Sequence, residues 1–242
     1  MPKLLLIETS TALCSTAISD GEKIICGRRS AEPRQHASMT AVYVQEMLDE
    51  CGLTMADIDA VALSSGPGSY TGLRVGSSTA KGLCFGAGKP LIAVGTLDVL
   101  AWQALDSFAS PSILPMIDAR RMEVYTAPYT LGADGCPVRQ GEVAPVVLDA
   151  HSFDELFAAG PVVVIGDGAE KFRALKCQVE PGMTETSFPT AIGNLFIQCC
   201  PEAAAMLKPA LKKFEAGQFE NIAYFEPFYL KDFVATVGKK LF

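Results

Sequence analysis

Histidine is almost missing from this chain of 242 residues: His36 and His151 are the only two, and neither falls in an H-x-x-x-H or H-E-x-x-H spacing. A histidine-built metal centre therefore has no support, and both are read as surface or hydrogen-bonding residues. No C-x-x-C pair occurs among the eight cysteines, which are scattered and mostly set among apolar neighbours. They read as reduced core residues of a cytoplasmic protein, and adjacent Cys199 and Cys200 are poorly placed for an ordinary disulfide. The G-x-S-x-G elbow of serine hydrolases and the G-x-x-x-x-G-K-[ST] phosphate loop are both absent. Positive charge is short as well. Twenty Lys and Arg stand against 27 Asp and Glu, for a net charge of −7. That balance argues against tight nucleic-acid binding by the chain alone, but not against service in a complex whose other member holds RNA. No apolar run is long enough for a membrane span, and Leu4–Ile7 is too short for a secretory signal.

The chain does have the material for a core, with 49% hydrophobic and 19% charged residues. Its most informative stretch is 64–76, Ser-Ser-Gly-Pro-Gly-Ser-Tyr-Thr-Gly-Leu-Arg-Val-Gly. An apolar strand, Ala60–Leu63, runs into a turn of Gly66, Pro67 and Gly68, and a helix follows over Tyr70–Ala87. Free amides at such a helix start attract anions, but Lys81 lies too far down the helix to act as a phosphate-loop lysine. Gly72, Gly76, Ala80 and Cys84 recur every fourth residue, so one ridge of this helix is nearly bare. That ridge must meet something at short range: the protein's own sheet, a nucleotide or another subunit.

The patterning gives strands over Lys3–Thr9, Ala12–Ser19 and Lys23–Arg28, the last two joined by a hairpin at Asp20-Gly21. A helix over His36–Cys51 follows, with Val42, Met47 and Leu48 as inward candidates. Thr54 and Asp57 have the spacing of a capping pair. Leu91–Val94 is a strand, and a helix begins near Thr96. The order βββαβα then recurs: Ile113–Asp118, Glu123–Leu131, and a third strand reached through Asp134-Gly135 and ending near Val147–Leu148. A helix over Ser152–Ala159, a strand over Pro161–Ile165, and helices over Ala169–Leu175 and Ala191–Leu207 complete the repeat. Glu8 and Asp118 each close the first strand of a half. The expected class is α/β, two duplicated βββαβα lobes facing a cleft, with residues 1–104 as the first lobe and 105–242 as the second. That is the plan of actin, the sugar kinases and the Hsp70 ATPases.

In such a plan Glu8, Thr9 and Ser10 sit where a phosphate loop would be. They could hold phosphate, or they could be a polar strand end opening a hairpin. Asp118 could oppose Glu8 across the cleft while Arg120 and Arg121 meet phosphates; equally, this could be a hairpin whose charges pair with each other or with water. Nothing marks a nucleophile: Ser69 has no base nearby in sequence.

Leu5-Leu6-Ile7-Glu8-Thr9-Ser10 with Cys14-Ser15, the run Gly66–Gly76, Ala80-Lys81-Gly82-Leu83, Ile117-Asp118-Ala119-Arg120, Glu123-Val124-Tyr125 and Tyr229-Leu230-Lys231 together resemble the bacterial TsaB family, also called YeaZ. The resemblance implies an actin-like ATPase (ASKHA) fold with a reduced second lobe. It also implies a non-catalytic relative of TsaD, the subunit that makes N6-threonylcarbamoyladenosine beside the tRNA anticodon. TsaD-like chains carry an H-x-x-x-H metal pair, and by that alignment Thr96 and Leu100 stand at those positions here. No catalytic residue, no metal and no resident cofactor are then expected, and Glu8, Thr9, Ser10 and Asp118 would be at most a vestigial ATP or ADP site. The implied partners are TsaD in a heterodimer, a second copy in a homodimer, and TsaE. A separate synthase would supply threonylcarbamoyl-adenylate, and tRNA would be met only through the complex. Pairing would run through helices His36–Cys51 and Tyr70–Ala87, with Gly72, Gly76, Ala80 and Cys84 as the contact ridge unless they face the protein's own sheet. The tail Glu226–Phe242, which alternates aromatic and basic residues, could dock on a partner or another lobe, or equally be a partly ordered tail. The alternative is a standalone enzyme of this fold, metallopeptidase-like or small-molecule-kinase-like.

Overall fold

Lys3–Glu8 (β1) is apolar on both sides, with Leu4 and Leu6 in one buried cluster and Leu5 and Ile7 in another. A strand buried on both faces belongs in the middle of a sheet. In the computed structural model, which describes residues 1–30, 32–105, 112–179 and 194–230, β1 takes that place. It pairs antiparallel with Ser15–Asp20 (β2) and parallel with Ala60–Ser64 (β4). Lys23–Arg29 (β3) and Leu91–Val94 (β5) complete the order β3-β2-β1-β4-β5. Helices His36–Cys51 (α1) and Tyr70–Ala87 (α2) cover one face, bringing Val44, Met47, Leu48, Ala80 and Cys84 onto Leu5, Ile7, Val61 and Leu63. Full burial of each large aliphatic side chain contributes about 2 kcal/mol. Gly52 and Gly88 end the two helices in the left-handed conformation, at φ 64° and 65°.

The second sheet repeats the plan. Ser112–Asp118 (β6) pairs antiparallel with Glu123–Thr126 (β7) and parallel with Val162–Gly166 (β11). With Ala144–Val147 (β10) and Leu195–Gln198 (β12) the order is β10-β7-β6-β11-β12, strand for strand that of the first sheet. This is the duplicated α/β architecture of the actin-like ATPase fold. Thr96–Leu105 (α3) lies between the sheets: Leu97, Leu100, Ala101 and Ala104 pack on Ile113, Ile117 and Val163, while Val99 joins the core around Leu4 and Leu6. Asp154–Ala159 (α4) and Ala169–Val179 (α5) cover the far face of the second sheet through Phe157 and Phe172.

Four sequence expectations are corrected. The strand expected over Glu123–Leu131 is broken at Ala127-Pro128, because proline has no N–H for the ladder. Tyr129–Leu131 (β8) instead pairs with β6 and with Pro137–Arg139 (β9). The Asp134-Gly135 turn therefore closes a side hairpin and is not the counterpart of Asp20-Gly21; the third strand of the lobe is β10. Of the helix expected over Ala191–Leu207, residues 195–198 are the parallel strand β12 and Ala203–Met206 is a 3₁₀ turn; the helix proper is Leu207–Glu215 (α6). A short apolar run supports either reading until its neighbours are known. Residues 191–193 lie outside the described part. Val42 is 43% exposed, because the buried stripe of α1 runs through Thr40, Tyr43, Val44, Met47 and Leu48.

After β12 the chain returns to the first lobe. Ala203, Met206, Leu207, Ala210 and Leu211 pack on Leu4, Leu6 and Ile92. Residues 218–230 then run as a strap beside β5 and α2. Glu220 bridges Leu91, Lys81 Nζ donates to the carbonyls of Ala223 and Phe225, and Phe225 enters the core. Residues 226–230 of the expected tail thus dock on the first lobe, where the Phe228 N–H donates to Ser65 O and the Tyr229 ring sits 4.9 Å from that of Tyr70. Lys231, Phe233, Lys239 and Lys240 lie outside the described residues. No helix among the described residues is long and apolar enough to cross a membrane.

Candidate functional site

Four glycines decide what the turn after β4 can do. Gly66 has φ +107°, and a Cβ there would lie 2.5 Å from the Phe228 carbonyl oxygen. At Gly68 a Cβ would lie 2.3 Å from Ser10 O, at Gly72 2.1 Å from Thr9 O, and at Gly76 2.2 Å from Thr9 Oγ1. At the first three the obstacle is backbone that cannot rotate away, so glycine is required there; at Gly76 it is the Thr9 hydroxyl, which would have to shift. What lies against the ridge is the chain's own turn between β1 and β2. The Ser69 N–H donates to Ser10 O at 2.6 Å and so offers nothing to an anion, while Ser69 Oγ caps α2 by accepting from the Gly72 N–H at 3.3 Å.

The ridge Gly72, Gly76, Ala80 and Cys84 is therefore turned inward. All four residues are buried, Ala80 and Cys84 among Val61 and Leu63, and burial pushes the Cys84 thiol up to about 11. None is available to a partner. A different row on the same helix is: Ser78, Gly82, Phe85 and Gly86 are exposed, Phe85 by 86%, and a Cβ at Gly82 or Gly86 would meet nothing within 4 Å. Ala37, Ala41 and Val42 are exposed on the neighbouring helix α1. The sequence carries this signal too, since 78, 82 and 86 also repeat at four, but the row 72, 76, 80 and 84 is longer and masks it.

Beneath the glycine turn sits a buried polar node. Glu8 is fully enclosed. Its Oε1 accepts from the Ser10 N–H at 2.6 Å and from the Ser64 hydroxyl at 3.0 Å, whereas Oε2 has no hydrogen-bond partner among the described residues. Desolvation raises its carboxyl from 4.5 to about 7, against the opposing pull of those hydrogen bonds. Ser10 Oγ, Thr11 Oγ1 and Thr96 Oγ1 are likewise buried without partners. The backbones of Gly68 and Gly72 lie against the Ser10 and Thr9 carbonyls, and Glu8, Thr9 and Ser10 are all buried, so they present no open cradle for a phosphate. Asp118 belongs to another network. It is half-exposed, and its Oδ1 accepts from Lys171 Nζ at 2.7 Å and from the Arg120 N–H at 2.6 Å; its own N–H donates to Asp167 Oδ1 at 2.7 Å. Burial raises the Asp167 carboxyl to about 6. The four residues expected to share one site share no hydrogen bond across the two networks.

Thr96 and Leu100, in the first turns of α3, are both fully buried. The two histidines behave as expected: His36 Nε2 lies 2.9 Å from Thr11 O, and His151 is exposed beside Asp154. Between the lobes is a cavity of about 350 Å³, bounded by Gly66, Leu97, Asp98, Tyr129, Lys213 and Phe228. The buried Tyr129 hydroxyl donates to Asp98 Oδ1 at 2.6 Å, and burial followed by the Asp98 charge holds the phenol protonated. Sequence reasoning missed this group, because its members come from five separate stretches with no common motif.

The geometry can be set beside known proteins. The family model of TsaD, tRNA N6-adenosine threonylcarbamoyltransferase, matches residues 30–143. The chain is 32% identical over 236 residues to the tRNA threonylcarbamoyladenosine biosynthesis protein TsaB of Escherichia coli K12, with 96% of each covered. The protein of that name from Haemophilus influenzae is 38% identical over 50% of this chain and 51% of its own length. Among solved structures, YeaZ from Pseudomonas aeruginosa superposes with a TM-score of 0.79 at 28% identity, covering 95% of this chain and all of that one. Another from the same species, described as similar to the peptidase YEAZ, gives 0.77 at 28% identity over 96% and 100%.

Proposed function

This chain belongs to the TsaB (YeaZ) family, and we propose that it serves in making N6-threonylcarbamoyladenosine on tRNA as the partner that binds and activates TsaD. The observation that carries the reading is the outer face of α1 and α2. Small residues at 37, 41, 78, 82 and 86 leave the helix backbones accessible, and Phe85 stands almost fully exposed beside them. An aromatic anchor on a flat, small-residue face suits close helix-to-helix docking. In this reading residues 1–104 are the docking lobe and 105–242 the second lobe, with its last segment folded back on the first. TsaE joins the assembly, tRNA is met within it, and the same face pairs two copies when TsaD is absent. Such work belongs in the cytoplasm.

A catalytic role lacks comparable support. Leu100 packs into apolar core and cannot ligate a metal, and the β1–β2 turn is filled by the protein's own backbone. Reconstitution tests both readings. Modification by TsaD, TsaE and the synthase should rise sharply when this chain is added, and Phe85→Glu should weaken TsaD binding by about a hundredfold while the melting temperature holds. Equal modification with and without the chain, or peptide cleavage or phosphoryl transfer by the pure chain, would overturn the proposal.

A further inference from the structure

The loop joining β6 to β7 holds two consecutive residues in the left-handed region, Arg120 at φ 70° and Arg121 at φ 51°. Residues with a Cβ adopt this conformation rarely, and strain of this kind persists only where surrounding structure enforces it. Here the enforcing group is Lys171 of α5. Its Nζ donates to Asp118 Oδ1, to Arg121 O and to Glu123 O, while the Arg120 N–H donates to Asp118 Oδ1. Two further backbone bonds, Ala119 N–H to Glu123 O and Glu123 N–H to Arg120 O, close the loop.

This arrangement sets the charge at the tip. Asp118, whose Oδ1 takes the Arg120 N–H, is already paired with Lys171. Arg120 and Arg121 are exposed, and among the described residues neither guanidinium has an ion pair or hydrogen bond. Arg28, Arg29 and Arg173, by contrast, are each paired with a glutamate. On a chain of net charge −7, a hydrogen-bonded loop exposing two guanidinium forks at consecutive positions is built to receive anionic oxygens.

We propose that the Arg120–Arg121 tip is a contact for the phosphodiester backbone of the RNA held by the assembled complex. The inference rests on the proposed function, since it names a second partner of the same assembly. The planar forks suit the regular spacing of phosphates, and each neutralised phosphate releases counterions.

The test uses the complex of full-length chain with TsaD and an unmodified tRNA transcript, with binding followed by anisotropy from 50 to 200 mM salt. Arg120→Gly with Arg121→Gly places glycine where φ is positive, so the melting temperature should hold or rise. RNA affinity should fall about tenfold at low salt, and the slope of log affinity against log salt should shrink by about 1 for each arginine. Arg120→Lys with Arg121→Lys should keep most of the salt slope, while Lys23→Ser with Lys208→Ser, which removes two exposed charges elsewhere, should change little. An RNA affinity indistinguishable from that of the Lys23/Lys208 variant overturns the inference and leaves TsaD activation intact. Loss of TsaD binding in the glycine variant also overturns it, since the tip would then be a protein contact.

Discussion

The turns after β1 and after β6 hold equivalent places in two sheets of identical strand order, yet they have opposite fates. The first, Glu8–Thr11, is sealed under the glycine-rich start of α2, and its carboxylate retains one oxygen without a partner. The second, Asp118–Met122, stays at the surface with its carboxylate paired to Lys171. A shared topology thus provides two acid-bearing turns, and local packing alone decides that one becomes core while the other remains a surface loop.

The sharpest way to break that contrast is Gly72→Val. Its Cβ would enter the space held by Thr9 O, and because the obstacle is backbone, nothing can rotate away. A loss of about 4 kcal/mol is expected in urea unfolding; an unchanged midpoint would mean that the first turn is not sealed as described. Glu8→Gln gives a smaller effect with a characteristic pH dependence. The folded-state pKa of about 7 lies above the ordinary 4.5, so the native state keeps its proton where the unfolded chain has lost it. The stability from this group is complete below about pH 4.5 and declines as pH rises to about 7. The glutamine variant should lack that decline and exceed the parent above pH 7 by at most about 3 kcal/mol. Parallel stability curves for the two proteins between pH 4.5 and 8 would refute it. Smaller again is Lys171→Met, which strips three donations from the second turn and leaves Asp118 beside Asp167 without a cation. A loss of about 2 kcal/mol is expected, with the change in amide exchange concentrated at residues 118–123.

Most of the first lobe could be read directly. Helices 36–51 and 70–87 and strand 91–94 fall where their patterns put them, because each has clear punctuation: Gly52, Gly88 and the Lys89-Pro90 pair. Thr54 and Asp57 form the capping box their spacing suggested. The second lobe was less legible. Pro128 divides an otherwise continuous strand pattern, and the run Leu195–Gln198 gains its strand character only from parallel pairing with β11, which no local pattern records. The site was legible in composition but not in direction. A bare ridge says that something comes close, and the choice between Thr9 and a partner depends on which face the sheet claims. Arg120 and Arg121 are legible as charges, but nothing in the sequence signals their positive φ values, since arginine has no preference for that region.

The return of residues 203–225 to the first sheet has a consequence for synthesis. The Ala203 N–H bonds Ser15 Oγ, and Phe225 fills a core that also contains Leu5 and Ile18. The amino-terminal half therefore cannot reach its finished state while it alone has left the ribosome, and must wait, with part of its apolar sheet uncovered, until residues 203–225 have emerged. A nascent chain in that condition is a natural client for a holding chaperone.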